Sequence, residues 1–333
     1  MCRRQFAVDI MIGGINQMIV PAPIRFKGTY DIVLRDTITG KIKDKRKIDN
    51  MLLNGLIRFL LGDLRSLRDA SYTFIIGTDN TPPSRSDTGI KGTALDSQSN
   101  TLSTSGQHPF ILTRTVTFQK GSGTGSIGEI VLQTEGSNSR AISRIALDPK
   151  IEKTDTDELI VTYTLTAYRS ADVISGTIPG GQRDGVTDIN WKLTINNRQF
   201  YQILYRGLND IISLRLGDSN ADSNLINDSH DAIKGNEIAR FSPIHYWLEY
   251  SPENNYRDLM FEFNKNQGKG NIAELVILRS GDFIPGQPQE RFGLCRVTFD
   301  PPLDNTDPDY RLFLTFRFYI DLGEETDVTI KDR

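Results

Sequence analysis

The sequence predicts a mainly β protein with two tandem antiparallel β-sandwich domains, each with one packed α-helix. Two observations predict this fold class. A set of strand-like segments occurs twice along the chain, first within residues 125–168 and again within residues 270–322. Within the segments, apolar and polar residues alternate as they do in half-buried strands. Because a repeated set of segments usually forms the same structural unit each time, we expect the two halves to share one architecture.

Three segments match between the two sets. Residues 125–132 correspond to 270–277, residues 143–150 to 295–302, and residues 159–166 to 312–319. The alternate residues that share the apolar face of the last segment are Leu159, Val161, Tyr163 and Leu165 in the first copy and Leu312, Leu314, Phe316 and Phe318 in the second. In the first copy the residues between them are mostly threonine, so a one-residue slip in register would bury the threonines.

A hairpin and a helix are predicted ahead of the first strand set. The hairpin strands are residues 29–34 and 41–48, and the turn between them is residues 36–40. The helix runs from Asp49 to Leu61, with Asp49 or Asn50 as its cap and Gly62 as its end. A counterpart helix in the second half is capped by Asn196 or Asn197. The leucines and isoleucines at helical spacing indicate core packing.

These elements divide the chain into five parts. Residues 1–26 form an N-terminal docking arm, 27–170 the first β-sandwich domain, 171–186 a linker, 187–323 the second domain, and 324–333 a charged tail. The linker contains several glycines, which favour a flexible connection. The tail is rich in charged residues, so we expect it to be solvated.

Composition limits the classes of protein and of partner. The chain has 333 residues, 38% of them hydrophobic, and a formal net charge of −3. This net charge gives no general attraction to nucleic acid, and no apolar run is long enough to span a membrane. Cys2 and Cys295 occupy unrelated places in the two halves, so we expect both to be unpaired, as in a reducing cytoplasm.

The arm contains apolar residues without a regular period. They are Met11, Ile12, Ile15, Met18, Ile19 and Val20. An exposed apolar segment favours a partner surface. Two placements remain open: the arm packs along the chain's own first domain, or it docks on a neighbouring subunit.

The motifs that resemble active or binding sites lack the mechanism that each one needs. Gly123 to Gly128 matches a dinucleotide fingerprint, but a predicted strand follows it where phosphate binding requires a helix N-terminus. Residues 218–224 carry Asp and Asn at alternate positions, as in a calcium loop, yet Ser223 and Ser229 replace the glycine and the bidentate glutamate. We therefore expect no catalytic, cofactor or metal residues, and we interpret the acidic segment as a turn.

Two acid–base pairs occupy matching positions in the two halves. They are Glu129 with Arg144 and Glu274 with Arg296. Because both members recur, the sequence predicts a structural ion pair between neighbouring strands in each domain. A partly exposed pair of this kind contributes at most about 1 kcal/mol.

Taken together, several motifs resemble virion structural proteins of tailed bacteriophages, found in tail, baseplate, neck and fibre. The motifs are the Gly-Thr-Asp-Asn-Thr-Pro-Pro-Ser-x-Ser-Asp-Thr-Gly loop at 77–89, Gly-x-Ile-x-Glu-Ile at 125–130, Ser-Arg-Ile-Ala-Leu-Asp-Pro at 143–149, Lys153 and a final Leu-x-Val-x-Tyr strand. The resemblance covers most of the first domain and is looser in the second, where the proline loop is missing. It implies a non-enzymatic building block present in many copies, located in the virion and made in the host bacterial cytoplasm.

This resemblance leads to the expected function and to one alternative. The first is a structural component of the tail, baseplate, neck or fibre-attachment region that forms a homo-oligomeric ring or bridges other virion proteins. The alternative is a receptor-recognition protein for host-surface glycans, with Tyr246, Trp247, Tyr250 and Tyr256 stacking on sugar rings. The loops that could bind a receptor or a weak cation are residues 78–92, 218–232 and 246–256.

Overall fold

The protein is mainly β in the computed structural model, and its chain divides into two compact units. We call residues 25–168 with 321–333 the first unit, and residues 1–24 with 169–320 the second unit. The structure describes residues 7–12, 24–63, 67, 70–99, 101–105, 110–136, 138–169, 173–178, 188–195, 211–217, 237–241, 245–247, 256–262, 269–280, 291–304 and 312–321.

The first unit contains nine of the described strands. They are β2 (Ile24–Asp36), β3 (Ile42–Leu52), β4 (Tyr72–Gly77), β5 (Ala94–Ser99), β6 (Thr101–Ser105), β7 (Phe110–Phe118), β8 (Gly125–Thr134), β9 (Ala141–Lys153) and β10 (Asp157–Arg169). The predicted hairpin is present as β2 and β3, which pair antiparallel around a turn with Gly40 at φ 71°. The three predicted strand segments of this half are present as β8, β9 and β10.

These nine strands form one continuous sheet in the order β6-β7-β10-β2-β3-β9-β8-β4-β5. Strand β3 joins its two parts, because it pairs with β2 over most of its length and with β9 at Met51 and Leu52. The end strands β5 and β6 are separated in sequence by one residue only. The unit is therefore a nearly closed, barrel-like sheet. The prediction of a mainly β, antiparallel fold is confirmed, whereas the finer prediction of two tandem sandwich domains is not confirmed.

The sheet closes around an aromatic and polar core. Tyr30, Phe74 and Tyr163 come from three different strands, and the Tyr30 ring lies 6.5 Å from Phe74 and 4.9 Å from Tyr163. Hydroxyl oxygens of Tyr30 and Ser143 are 2.7 Å apart, and the Asn50 amide donates to the same serine at 2.9 Å. The alternation predicted for β10 is confirmed, because Tyr163 and the three aliphatic residues on its face are fully buried.

The predicted helix is shorter than expected and begins later. Asp49 and Asn50 belong to β3 instead of capping a helix, because pairing with β2 and β9 extends the strand as far as Leu52. The helix α1 (Asn54–Ile57) continues into a wider, π-type turn over Arg58–Gly62, and no side chain caps either segment. The counterpart predicted after Asn196 or Asn197 lies outside the described residues.

The second unit contains the other ten strands. They are β1 (Ala7–Ile12), β11 (Val173–Ile178), β12 (Ile189–Ile195), β13 (Ile211–Gly217), β14 (Glu237–Phe241), β15 (His245–Trp247), β16 (Tyr256–Glu262), β17 (Asn271–Ser280), β18 (Arg291–Asp304) and β19 (Leu312–Asp321). Six of them form a sheet in the order β11-β12-β18-β17-β13-β14, while β19 pairs with β16 and with β1, and β16 with β15. The segment predicted as a linker thus contains the strand β11.

The two units share strand order and register over part of their sheets. The order β3-β9-β8-β4-β5 in the first corresponds to β12-β18-β17-β13-β14 in the second. Glu129 lies opposite Gly77 and Ala146, and Glu274 lies opposite Gly217 and Thr298. Each glutamate follows a bulge at the same place in its strand, and the Asp-Pro bond of β9 and that of β18 are both cis.

Replacement of Gly55 should test the contact between α1 and the sheet. A Cβ at this position would lie 2.0 Å from the carbonyl oxygen of Ala141, a backbone atom of β9 that cannot move away freely. We expect Gly55→Ala to lower the free energy of unfolding by about 2 to 3 kcal/mol in urea denaturation. The control is Gly89→Ala, where the added Cβ has nothing within 4 Å, so a change there of about 0.5 kcal/mol or less is expected. Equal stability of the two variants would contradict this contact.

Candidate functional site

The most organised polar site of the first unit lies where β4, β8 and β9 are neighbours. β4 ends at Gly77, directly opposite Glu129 of β8, and Arg144 of β9 is opposite Val131, two residues further along β8. The bulge between Ile127 and Glu129 interrupts the regular alternation of β8 just before the glutamate. The loop of residues 78–92 leaves the sheet at this point and returns to it. We call this segment the clasped loop.

Arg144 is fully buried, and its guanidinium group contacts three carboxylates. Nε donates to Glu129 at 2.8 Å, Nη1 to Asp87 at 3.2 Å and Nη2 to Asp79 at 2.7 Å. Nη1 also donates to the carbonyl oxygen of Thr81 at 3.0 Å. One cation therefore holds the sheet and both arms of the clasped loop together. We call Arg144 and these three carboxylates the arginine hub.

Glu129 holds the end of the clasped loop from the other side. Its carboxylate accepts the backbone N–H groups of Lys91 and Gly92, at 3.1 Å and 2.7 Å, in addition to the guanidinium group. A carboxylate with this many donors is a good buried partner because its charge is compensated where water is excluded. Glu129 is therefore a structural anchor for the loop backbone.

Glycines allow the loop to approach the sheet closely. A Cβ on Gly128 would lie 2.6 Å from the carbonyl oxygen of Asp79, and one on Gly92 would lie 2.5 Å from the Asp79 nitrogen. A Cβ on Gly77 would lie 2.4 Å from the side chain of Ile90. Side chains at these positions would push the loop away from Arg144, which explains why residues 77, 92 and 128 are glycine.

Further contacts fix the outer part of the loop. Lys150 donates to the Thr78 carbonyl oxygen at 2.7 Å, and Lys91 lies 3.0 Å from Asp87. Hydrogen bonds from Thr81 lower the pKa of Asp79, burial opposes this, and the nearby charges of Arg144 and Lys91 lower the pKa further. The outward-facing residues are Asn80, Thr81, Pro82, Ser84, Ser86 and Thr88. The loop therefore presents a small polar surface on a fixed backbone.

The charged groups of the arginine hub attach the clasped loop to the sheet. Each of its carboxylates is engaged by a guanidinium, a lysine or a backbone N–H of the same chain, as expected of charges that hold a loop in place. The described residues contain no group of three or more His, Cys, Asp or Glu able to hold a metal ion. Over the same part of the chain, no helix is both long enough and apolar enough to cross a bilayer.

The second unit has an acid–base pair at the corresponding positions. Nε of Arg296 lies 3.3 Å from the carboxylate of Glu274, and both side chains are buried. Both ion pairs are more buried than the partly exposed pairs considered from the sequence, so removing one partner costs more than the surface estimate. The segment 218–236, which follows β13 as the clasped loop follows β4, lies outside the described residues.

Other residues singled out from the sequence lie in several places. Met11 and Ile12 belong to β1, whereas Ile15, Met18, Ile19 and Val20 lie outside the described residues. Trp247 and Tyr246 belong to β15 and Tyr256 to β16, while Tyr250 lies outside. Gly125 begins the strand β8, as predicted. Cys295 is a free, buried thiol whose pKa is raised to about 12 by burial.

A second charged cluster was not predicted from the sequence. Asp157 is buried at the start of β10, where it accepts Lys43 Nζ at 2.6 Å and the Thr154 backbone N–H at 2.9 Å. Lys153, also buried, donates to the carbonyl oxygens of Gln119 and Ser122. Burial lowers the pKa of Lys153. These contacts bind the turns at one end of the sheet, and only Lys153 was part of a motif.

Comparisons with known proteins gave no match. No family model, curated protein or solved structure is similar to this chain at the level that would indicate common ancestry.

Loss of the hub cation should destabilise the first unit strongly. Arg144→Met removes the charge that compensates the buried Glu129, and we expect a loss of about 3 to 5 kcal/mol in unfolding free energy. The control is Lys27→Met, which breaks a pair with Asp49 whose two side chains are about half exposed, with an expected effect of at most about 1 kcal/mol. Circular dichroism in urea measures both.

The same variants also test whether Arg144 holds the loop. In native buffer, Arg144→Met should make the clasped loop susceptible to limited proteolysis, whereas Lys27→Met should leave it protected. Wild-type stability and an uncut loop in Arg144→Met would contradict the assignment of Arg144 as the anchor.

The Asp157 cluster predicts acid sensitivity. Burial alone would raise the pKa of Asp157, but hydrogen bonds from Lys43 and Thr154 outweigh it and the pKa is lowered. A lowered folded-state pKa contributes stability above the unfolded value of about 4, and this contribution is lost as pH falls through the folded value. We expect Asp157→Asn to cost about 1.5 kcal/mol at pH 7 and progressively less below about pH 4. Urea denaturation across this range measures the difference, and a constant difference would contradict the prediction.

Proposed function

We propose that the chain is a non-enzymatic structural component of a tailed-phage virion, located in the tail, baseplate, neck or fibre-attachment region. Its role is to bridge neighbouring proteins or to assemble into a ring. The proposal rests on the motif resemblance and is supported most by one observation: the separate motifs meet in a single structural device, the arginine hub with its clasped loop.

This convergence favours an architectural role. Asp79 and Asp87 come from the loop motif, Glu129 from the second motif and Arg144 from the third. The three carboxylates all contact the one guanidinium group of Arg144. Residues that hold a loop backbone in place serve a protein whose surface must keep its shape in contact with others. The exposed small polar residues of the loop would form such a contact surface.

We also propose that the two halves descend from one duplicated β domain, and the shared strand register supports this proposal. Matched glutamates, arginines and bulges in β8–β9 and β17–β18 are simply explained by copying of one sheet. Two similar domains on one chain would double the number of similar contacts that a ring of few chains presents. Such a ring could connect parts of unlike symmetry.

Detection of the protein in purified virions tests the proposal. Immunogold labelling with an antibody against the purified chain should decorate the tail, baseplate, neck or fibre base of particles from cells that carry the gene. Quantitative mass spectrometry of the same particles should give several copies per virion. Absence of the protein from purified particles, or a single copy in each, would overturn the ring assignment.

A glycan array with the same purified protein tests the alternative function, which is recognition of a host-surface glycan. Specific sugar binding that is lost on Trp247→Ala would favour receptor recognition over scaffolding. The absence of binding, together with virion labelling, would favour the structural role.

A further inference from the structure

Strand β3 changes its hydrogen-bonding partner between Asn50 and Met51. Asn50 is the last residue of β3 that lies opposite β2, and Met51 is the first that lies opposite β9. Met51 and Leu52 are the two residues of β3 that have opposite residues in β9. One more backbone bond follows, from the Leu53 N–H to the carbonyl oxygen of Ile142 at 3.1 Å. The two parts of the sheet are therefore joined by a short stretch of backbone pairing.

The apolar residues of β9 do not specify the register of this short pairing. Side chains alternate between the two faces of a sheet, so a slip of two residues keeps every side chain on its own face. Such a slip would bring Ala141 or Ile145 to the place opposite Leu52 that Ser143 now occupies. Both are buried apolar residues, as Leu52 is. Burial of apolar groups thus does not distinguish the observed register from those on either side of it.

A polar cluster at the junction does distinguish the registers. The Asn50 amide donates to Ser143 Oγ at 2.9 Å and to the Met51 carbonyl oxygen at 2.8 Å. The hydroxyl oxygens of Tyr30 and Ser143, both fully buried, are 2.7 Å apart. We call Asn50, Ser143 and Tyr30 the Asn50 cluster. After a slip of two residues the amide would face an apolar side chain, so the amide and the serine hydroxyl would each lose a partner.

The sequence of β2 leaves room for the cluster. Gly28 lies opposite Asn50, and a Cβ at this glycine would lie 1.9 Å from Asn50 Oδ1 and 2.7 Å from the Tyr163 hydroxyl. Another contact between β3 and β9, from Arg46 to the Pro149 carbonyl oxygen, is exposed. Carbonyl oxygens recur along a strand, whereas the Ser143 hydroxyl has apolar residues at the alternate positions on either side. The serine is therefore the more specific partner.

The second unit has the corresponding junction without the cluster. The matched arginines, Arg144 and Arg296, align the strand pairs of the two units. Counted from them, Asn50, Ser143 and Tyr30 correspond to Leu193, Cys295 and Gly176. Leucine has no hydrogen-bonding group in its side chain and glycine has no side chain, so the hydrogen bonds of the cluster have no counterpart there. The sheet order can thus form with apolar residues at these positions.

The length of strand pairing differs between the units in the opposite sense. β12, the counterpart of β3, pairs with β18 at six successive residues, Asn190 to Ile195. It also pairs with β11 along nearly the same stretch. A long ladder specifies its register through many side-chain pairs at once. The polar cluster is therefore present where the pairing is short and missing where it is long.

We propose that the Asn50 cluster specifies the register of β3 on β9, and with it the stagger between the two parts of the first unit's sheet. A polar residue can fix a register at some cost in stability, because each slipped arrangement leaves it without a partner. In a sheet that nearly closes, the register at one junction also determines how the end strands meet. This inference is independent of the proposed function, since it rests on the pairing of β3 with β9.

Residues taken from the second unit test the cluster. Asn50→Leu with Ser143→Cys, made together in the full-length chain, keeps the approximate size and shape of both side chains and removes their hydrogen bonds. Wild-type protein should give one set of methyl NMR signals for Leu52 and Ile145. In the double variant we expect a second set with roughly one tenth of the intensity or more. Its cross-strand contacts should connect Leu52 to Ala141 or Ile145. The Leu53 N–H should exchange with solvent at least about tenfold faster.

The matched control is Thr115→Val. The Thr115 and Thr162 Oγ1 atoms are 3.1 Å apart between β7 and β10, which pair at nine successive residues. This variant also loses a cross-strand hydrogen bond, but from a long ladder, so a single set of signals is expected.

Three results would overturn the proposal. One is a single set of signals with wild-type exchange of the Leu53 N–H in the double variant. Another is a second set that keeps the wild-type contacts of Leu52, and the third is equal doubling in Thr115→Val. If the double variant does not fold, Asn50→Leu alone is used under the same criteria, because Ser143 then keeps its contact with Tyr30.

Discussion

The buried contact between Arg144 and Glu129 determines much of the arrangement of the first unit. A buried guanidinium group is stable only where its N–H groups have hydrogen-bond acceptors. Here three carboxylates and one carbonyl oxygen accept from Arg144. Two of the carboxylates belong to the clasped loop, so the loop must fold back for the arginine to be buried. The path of the loop and the position of the cation therefore depend on each other.

The pattern of strands could be predicted because alternation and repetition are local signals. The β8, β9 and β10 segments and the β2–β3 hairpin follow from apolar periodicity and a glycine turn. The predicted start of the helix was wrong. Asp49 and Asn50 are residue types that often cap helices, but here they pair with β2 as part of β3. Whether a polar residue caps a helix or ends a strand depends on long-range pairing, which a local pattern does not contain.

The site was predictable only in part for a similar reason. The recurrence of Glu129 and Arg144 in the second half indicated an ion pair, and the structure places the two groups 2.8 Å apart. The partners Asp79 and Asp87 were seen as turn residues, since nothing in the sequence relates a loop to an arginine more than fifty positions away. The nearly closed, barrel-like geometry likewise depends on β3 pairing with β2 along one stretch and with β9 along the next, and no local periodicity encodes this change of partner.

The continuity of β3 also has a mechanical consequence. Because this strand is bonded to β2 along one stretch and to β9 along the next, tension applied to it loads both parts of the sheet at once. A load on β3 is therefore shared between its pairs with β2 and its two pairs with β9. Under shear, such a shared strand resists separation of the two parts of the sheet. Two sheets joined only by a loop would lack this resistance.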